Sequence, residues 1–572
     1  LWYEQIREGE QHVREVGHQS IRRIRVAPIR GRIFSQDGQL LCDNEPVFNV
    51  NFHLHELRQP GRRAYSRTLD FAENQMALTA AILQRPLDIN LNTLARHIRN
   101  SAPLPFQAFR DLNQPELARL EEHLPSVPGL EVSTDSRRIY PLGDAGAHLL
   151  GFVGRRHATE EERQHFNFFL PEQVGRQGLE LRYDTLLAGQ GGERQVRVDI
   201  TGFVHEEFSD PELPEVVPGS DLVLTVDSRA QVIGQELMKG KLGALVLLDC
   251  RSGAVLALIS APSYDPNLLG SDLYARLADN VAEHPLLNRA LSAGYTPGSI
   301  VKPIVALSLL SHAKVTPTDQ VFCPGYFKIG NTRIRCNARS GHGWLNMAHA
   351  LEGSCNTYFI ANGINLGIDL LGPDMAMAGI GQTPGLELRT GGGIVPSREG
   401  KQRRTGQPWG TADTAYVSIG QGMILVSPLQ VALWCAALGN GGNLLKPTLV
   451  AEIRHPDGTI ERPPKGVVVG HLPGSMQDLA LVREGMHLVI NGDHATGAEA
   501  RTPVISLAGK TGTAELGTRN SRPKDTWFMA FGPWEDPRYA IVVLVEGGSS
   551  GGKSAAPIVR QFFERWLPGT GQ

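Results

Sequence analysis

Gly294-Tyr295-Thr296-Pro297-Gly298-Ser299-Ile300-Val301-Lys302-Pro303 decides how this chain is read. A Pro-Gly turn delivers a serine to the start of an apolar run, Ile300 to Leu310, which reads as a buried helix. A serine in the first turn sits near the positive end of the helix dipole. Lys302, three residues on, shares its face. Burial disfavours the charged form of a lysine and lowers its pKa. A neutral amine beside a serine hydroxyl can take its proton and make it a nucleophile. The stretch is a candidate acyl-transfer centre.

The Ser-x-x-Lys pattern is short, and the chain holds three more copies: Ser311/Lys314, Ser521/Lys524 and Ser550/Lys553. The second and third lie in loop-like sequence, and the first is at the far end of the helix. Only Ser299 has a turn before it and an apolar helix after it. Two further elements strengthen the choice. Ser354-Cys355-Asn356 falls between helical patterns at Leu345 to Leu351 and Thr357 to Leu366, so Ser354 and Asn356 can face one cleft. Lys510-Thr511-Gly512-Thr513 follows the apolar run 504–508 and reads as a strand. Its central glycine would let a substrate backbone lie close against that strand.

With 572 residues and 41% hydrophobic content the chain can build two or three domains. A net charge of −3 argues against a nucleic-acid partner. No apolar run reaches the ~18 residues needed to cross a bilayer. The Trp2-Tyr3 pair suits a membrane interface, so an anchor is expected upstream of a juxtamembrane helix over 1–25. Ala27 to Leu41 reads as a hairpin with an Asp-Gly turn. Helical patterns at Phe71 to Leu83, Leu91 to Asn100 and Pro115 to His123, with Pro-rich joints, set a segment at about 60–170 apart within an N-terminal unit spanning 26–227. From 228 to 568 the pattern changes. Apolar strands at Gly243 to Asp249 and Ala254 to Ser260 are joined, much later, by Leu507 to Glu515, Thr526 to Phe531 and Tyr539 to Val545. The expected result is an α+β domain. Its five-stranded antiparallel sheet is built from both ends, the helical part is inserted between them, and the Lys510 strand is the edge beside the cleft.

The set Ser-x-x-Lys, Ser-x-Asn and Lys-Thr-Gly is the signature of penicillin-binding proteins and serine β-lactamases. At these residues the chain resembles that superfamily. Arg30-Gly31-Arg32-Ile33, Gly178-Leu179-Glu180 and Tyr183 to Gly189 look like the pedestal motifs of its class B members. Tyr295 to Ser299 and Ile419 to Gln430 are similar to the elongation type within that class. The resemblance implies a D,D-transpeptidase on an inner-membrane anchor, with its domains in the periplasm. Its implied substrates are peptidoglycan stem peptides ending in D-Ala-D-Ala, and β-lactams would acylate it. Implied partners are a membrane-embedded glycan polymerase and a shape-determining scaffold protein. No cofactor is implied for the chemistry. Ser299 would be the nucleophile, Lys302 its base and Ser354 the proton relay. Asn356 would hold Lys302 and the substrate amide. Lys510 would supply positive charge, Thr511 and Thr513 would bind the stem carboxylate, and the Ser299 and Thr513 N–H groups would form the oxyanion hole. A hydrolytic carboxypeptidase or β-lactamase and a non-catalytic penicillin sensor are the competing readings.

Of six cysteines, Cys323, Cys336 and Cys355 cluster between the first two motifs, with His342 among them. The spacing C-x12-C-x5-H-x12-C offers soft ligands suited to a structural zinc. A Cys323–Cys336 disulfide or unrelated thiols are the alternatives. Cys42, Cys250 and Cys435 sit in apolar contexts and read as core thiols.

Overall fold

The computed structural model describes residues 21–101, 104–123, 127–169, 172–198, 204–208, 213–292, 294–515 and 523–567. The C-terminal half is organised on a five-stranded antiparallel sheet. Its order is Val255–Ala261, Gly243–Asp249, Tyr539–Glu546, Lys524–Gly532 and Ala508–Glu515, so both ends of the segment contribute and the Lys510 strand is an edge. Side chains on a strand alternate between faces. Leu245 and Leu247 pack with Phe562 and Phe563 beneath helices Ser228–Met238 and Ala556–Trp566. Ala244, Val246 and Leu248 face the opposite core, with Trp434 of the fully buried helix Pro428–Gly439. Both faces are covered, which is why these strands read as unbroken apolar runs.

The Ser299 stretch forms a 3-10 turn, Gly298–Val301, continued by helix Lys302–Ser311, of which all but Ser311 is buried. A helix apolar on every side belongs in a core. The helix anchors the region between Val255–Ala261 and Ala508–Glu515, together with Met347–Glu352, Asn356–Leu366 and Met476–Asn491.

In the N-terminal half the Asp-Gly hairpin is present as Ile33–Phe34 and Leu40–Phe52, with Gly38 at φ 82°. Helices Ala64–Leu83, Leu91–Asn100 and Gln114–Glu121 cover the expected positions. They pack on the far end of the 40–52 strand, which pairs with Phe106–Leu112 and Leu130–Ile139. The juxtamembrane helix is corrected where it can be compared. Ile21–Val26 is a strand, paired antiparallel with Gly192–Val198 and burying Ile24. β-branched residues at 21, 24 and 26 suit that pleated surface better than a helix. Residues 1–20 of that expectation lie outside the described residues. The two halves share a sheet: Val450–Arg454, far along the chain, pairs with Asp221–Leu224.

The pedestal motifs converge on one buried ion cluster. Glu180, fully buried, accepts from Arg30 Nε and Arg138 Nε at 2.6 Å each, and its carbonyl accepts from Arg30 Nη2 at 2.9 Å. Removing the carboxylate leaves the Arg138 guanidinium buried without a counter-charge, while Arg30 keeps Asp184 at 2.8 Å, and an uncompensated buried charge of this kind costs about 3–5 kcal/mol. Glu180→Ala therefore lowers the denaturant midpoint accordingly while leaving acylation in the distant site intact.

Candidate active site

The turn carrying Ser299 is held from three sides. Tyr295 exchanges backbone hydrogen bonds with Val426 at 3.2 and 2.8 Å, Gly298 N–H donates to Gly420 O at 2.9 Å, and Trp527 Nε1 donates to Thr296 O at 3.0 Å. Gly298 sits at φ +57°, and a Cβ there would lie 2.8 Å from the Thr513 carbonyl. Only glycine allows both the left-handed conformation and this approach. The Lys510 strand and the nucleophile turn are thereby pressed together at Thr513, with Ser299 half-buried beside the contact.

Lys302 is fully buried. Its Nζ donates to Ser354 O at 2.7 Å and to Asn356 Oδ1 at 2.8 Å, and lies 3.3 Å from Ser354 Oγ. Burial pushes it down to about 8, against smaller opposing contributions from the nearby thiols. A neutral amine has two hydrogens and one lone pair. The two hydrogens match the two short acceptors, and the lone pair is left for a hydroxyl proton. Ser354 takes φ +53°, unusual for a residue with a side chain. That local strain, on the order of 1–2 kcal/mol, turns both its carbonyl and its hydroxyl onto Lys302. Asn356 is fixed on its other side, donating from Nδ2 to Arg335 O at 2.9 Å.

Lys510 is also fully buried, with Nζ 3.2 Å from Thr511 O. Burial first, and then the charge of Lys302, hold it well below the usual lysine range. The positive charge expected at Lys510 is thus opposed by its surroundings, which favour loss of the proton. Gly512 also serves a different need from the expected one. A Cβ there would meet Ile300 Cγ2 at 2.8 Å and the Pro297 carbonyl at 2.9 Å, so the glycine accommodates the protein's own nucleophile turn. Thr511 Oγ1 bonds Thr496 Oγ1 at 3.2 Å, Thr496 Oγ1 donates to Glu352 O at 3.0 Å, and Thr513 Oγ1 accepts from Gly551 N at 3.3 Å.

Sequence reasoning missed Thr496, which no local pattern marks, and Phe359, whose ring lies 5.4 Å from Lys302 Nζ. It also missed Glu546, which joins Tyr295 Oη (2.8 Å) to Arg289 Nε (2.7 Å) behind the nucleophile turn. Of the other Ser-x-x-Lys pairs, Ser311 bonds Ser308 O at the helix end and Ser550 caps the short turn Gly551–Ala555. Ser521 lies outside the described residues.

The four soft ligands also converge. Cys323 Sγ and Cys336 Sγ each lie 3.5 Å from His342 Nδ1, Cys336 Sγ lies 3.9 Å from Cys355 Sγ, and all four atoms fall within 4.8 Å of one another. None of the cysteines is in a disulfide. His342 is raised to about 9, chiefly by Cys336. Cys336 Sγ also accepts from Asn356 N at 3.2 Å, so the cluster backs directly onto the Ser354–Asn356 segment.

Comparison with known proteins agrees with this geometry. The penicillin-binding protein transpeptidase domain family matches residues 243–564, and the penicillin-binding protein dimerisation domain family matches 25–224. The chain belongs to the class B penicillin-binding proteins, and its enzymatic class is the serine-type D-Ala-D-Ala transpeptidase. Peptidoglycan D,D-transpeptidase MrdA of Acinetobacter baumannii is 32% identical over 95% of this chain and 82% of its own length. Helicobacter pylori PBP2, solved in complex with MreC, superimposes with a TM-score of 0.78 at 27% identity, covering 95% of this chain and 98% of that one. A chain from a peptidoglycan synthase complex that coordinates polymerization and crosslinking matches with a TM-score of 0.72 at 25% identity, covering 100% and 96%.

Proposed function

We propose that this protein cross-links peptidoglycan stem peptides during cell elongation through an acyl-enzyme on Ser299. Ser299 Oγ attacks the carbonyl carbon of the penultimate D-Ala while Lys302 takes the hydroxyl proton. The Oγ–C bond forms, the C–N bond to the terminal D-Ala breaks, and the proton reaches the departing nitrogen through Ser354 Oγ. The N–H groups of Ser299 and Thr513 hold the oxyanion, a contribution whose loss typically costs about 10²–10³ in rate. Asn356 holds Lys302 and the substrate amide. A stem carboxylate bound by Thr511 and Thr513 works against the effect of burial on Lys510, because an opposite charge favours the protonated amine. The amine of a second stem then attacks the ester carbon. A new amide forms, the C–O bond to Ser299 breaks, and the amine proton returns to Oγ. β-Lactams follow the first step and stay.

One observation carries this reading: the buried Lys302 Nζ held by Ser354 O and Asn356 Oδ1 one turn from Ser299. The test is intact mass after incubation with a β-lactam. A long-lived adduct on Ser299 supports transfer, rapid turnover would make the protein a hydrolase, and no adduct would leave a sensor.

The solved complexes of PBP2 with MreC and of a peptidoglycan synthase support a working assembly, and the proposed partners here are a shape-determining scaffold protein and a membrane-embedded glycan polymerase. A periplasmic location on an inner-membrane anchor is part of the same proposal and follows from the class B resemblance. Among the described residues no helix is long and apolar enough to cross a membrane. The catalytic unit is assigned to 228–568 and the pedestal to 26–227, with its head at about 60–170.

Cys323, Cys336, His342 and Cys355 fit a structural zinc. Zn–S and Zn–N bonds of about 2.3 and 2.0 Å imply tetrahedral edges close to the 3.5–3.9 Å of three of the ligand pairs, with all four atoms within 4.8 Å of one another. The ion would clip the 323–355 segment to the wall behind Asn356. Cys323→Ser should lower the zinc content of purified protein to well under one equivalent and depress Tm. Unchanged metal content removes that residue from the site.

A further inference from the structure

Next to the Ser354–Asn356 wall stands a surface that the acylation chemistry does not use. From residue 320 to 351 the sequence has four cationic residues, Lys328, Arg333, Arg335 and Arg339, and no Asp or Glu, a local +4 in a chain of net charge −3. All four are exposed, and among the described residues no carboxylate forms an ion pair with any of them. Two rings stand out on the same segment. Phe322 and Trp344, cross-strand partners, have centroids 5.5 Å apart and are 51% and 68% exposed. Large rings left this open mark interaction surfaces. The segment is continuous with the site, since the Arg335 carbonyl accepts from Asn356 Nδ2 and Asn337 Nδ2 donates to Gly353 O at 2.8 Å.

We propose that this basic and aromatic face docks the acyl acceptor, an acidic peptide with a free primary amine, and so selects which amine resolves the Ser299 ester. The inference rests on the transpeptidase reading. Charge complementarity names the occupant: unpaired guanidinium groups bind carboxylates, singly or in bidentate pairs, and the rings cover the apolar stems between them. An acceptor docked here lies on the segment whose Arg335 carbonyl holds Asn356, the residue that also holds Lys302, so its amine is delivered from that side toward the Ser299 ester. That amine's nitrogen forms the new C–N bond as the C–O bond to Ser299 breaks, and its proton returns to Oγ.

The test uses the full chain, a D-Ala-D-Ala donor peptide, and two acceptors: a primary-amine peptide with two free carboxylates, and the same peptide with both amidated. Wild-type protein is expected to favour the acidic acceptor about tenfold in kcat/KM, through KM, with the preference shrinking as salt rises. The triple variant Lys328→Gln, Arg333→Gln, Arg339→Gln should lose that preference. Trp344→Ala should weaken both acceptors several-fold. In both variants β-lactam acylation stays within twofold and Tm is retained. The proposal is overturned if wild-type protein uses the two acceptors equally, or if the triple variant keeps the preference. It is equally overturned if the variants lose only adhesion to phosphatidylglycerol vesicles, which would make the face a membrane contact. A wild-type protein that forms no acyl adduct refutes the transpeptidase reading itself, and this proposal with it.

Discussion

Ser299→Ala is expected to abolish the β-lactam adduct, with the acylation rate falling by more than about 10⁴-fold. The nucleophile is one oxygen atom, and no second hydroxyl shares its place. Ser354 Oγ, the nearest alternative to Lys302 Nζ, lies on a buried turn with 7% of its surface exposed. The substitution leaves the fold intact, because the turn is anchored through the backbone of Tyr295, Thr296 and Gly298, not through the serine hydroxyl. Tm should change by no more than a degree or two. Ser311→Ala and Ser550→Ala, in the other described Ser-x-x-Lys pairs, should acylate like wild type. Intact mass and a melting curve on the same samples decide the matter. An adduct persisting in Ser299→Ala would sink the assignment.

Lys302 carries the second large effect. Replacing it with methionine fills the buried space but removes the base, and acylation should fall about 10²–10⁴-fold. In wild-type protein the reactive form is the free amine. With Lys302 pushed down to about 8 by burial, the acylation rate should rise tenfold per pH unit below that value and level off above it. The sign follows directly. Below pH 8 the amine is protonated and cannot accept the Ser299 proton, whereas above it the lone pair is available. A rate independent of pH between 6 and 9 would contradict the role given to Lys302. Asn356→Ala should move the profile, since Asn356 Oδ1 accepts from either form but more strongly from the cation. Its loss lowers the apparent pKa as it lowers the rate.

Much of this was legible in the linear chain because short-range chemistry fixes it. Pro297-Gly298 can only turn, and nine buried residues in succession after Val301 can only be a core helix. The runs 243–249 and 539–545 are apolar on both sides, as strands covered on two faces must be. The order of the three motifs then implied that the strand around Lys510 meets the helical insertion. Where local pattern and tertiary pairing compete, the sequence misleads. Ile21–Val26 reads as the tail of a polar helix, but the partner strand 192–198 takes it into a sheet.

What the sequence by itself determined is the set of candidate reacting groups and their separation along single turns, because i and i+3 neighbours are set by helix geometry alone. Only the tertiary structure decided which way burial pushes the two lysines, and the purpose of Gly512. The pKa of Lys302 and Lys510 depends on how much water and which acceptors surround each amine. Those neighbours, Ser354 and Asn356 for one and Thr511 for the other, are brought in by packing. The glycine's role depends on Pro297 and Ile300, more than two hundred residues away, arriving within contact distance of its missing side chain.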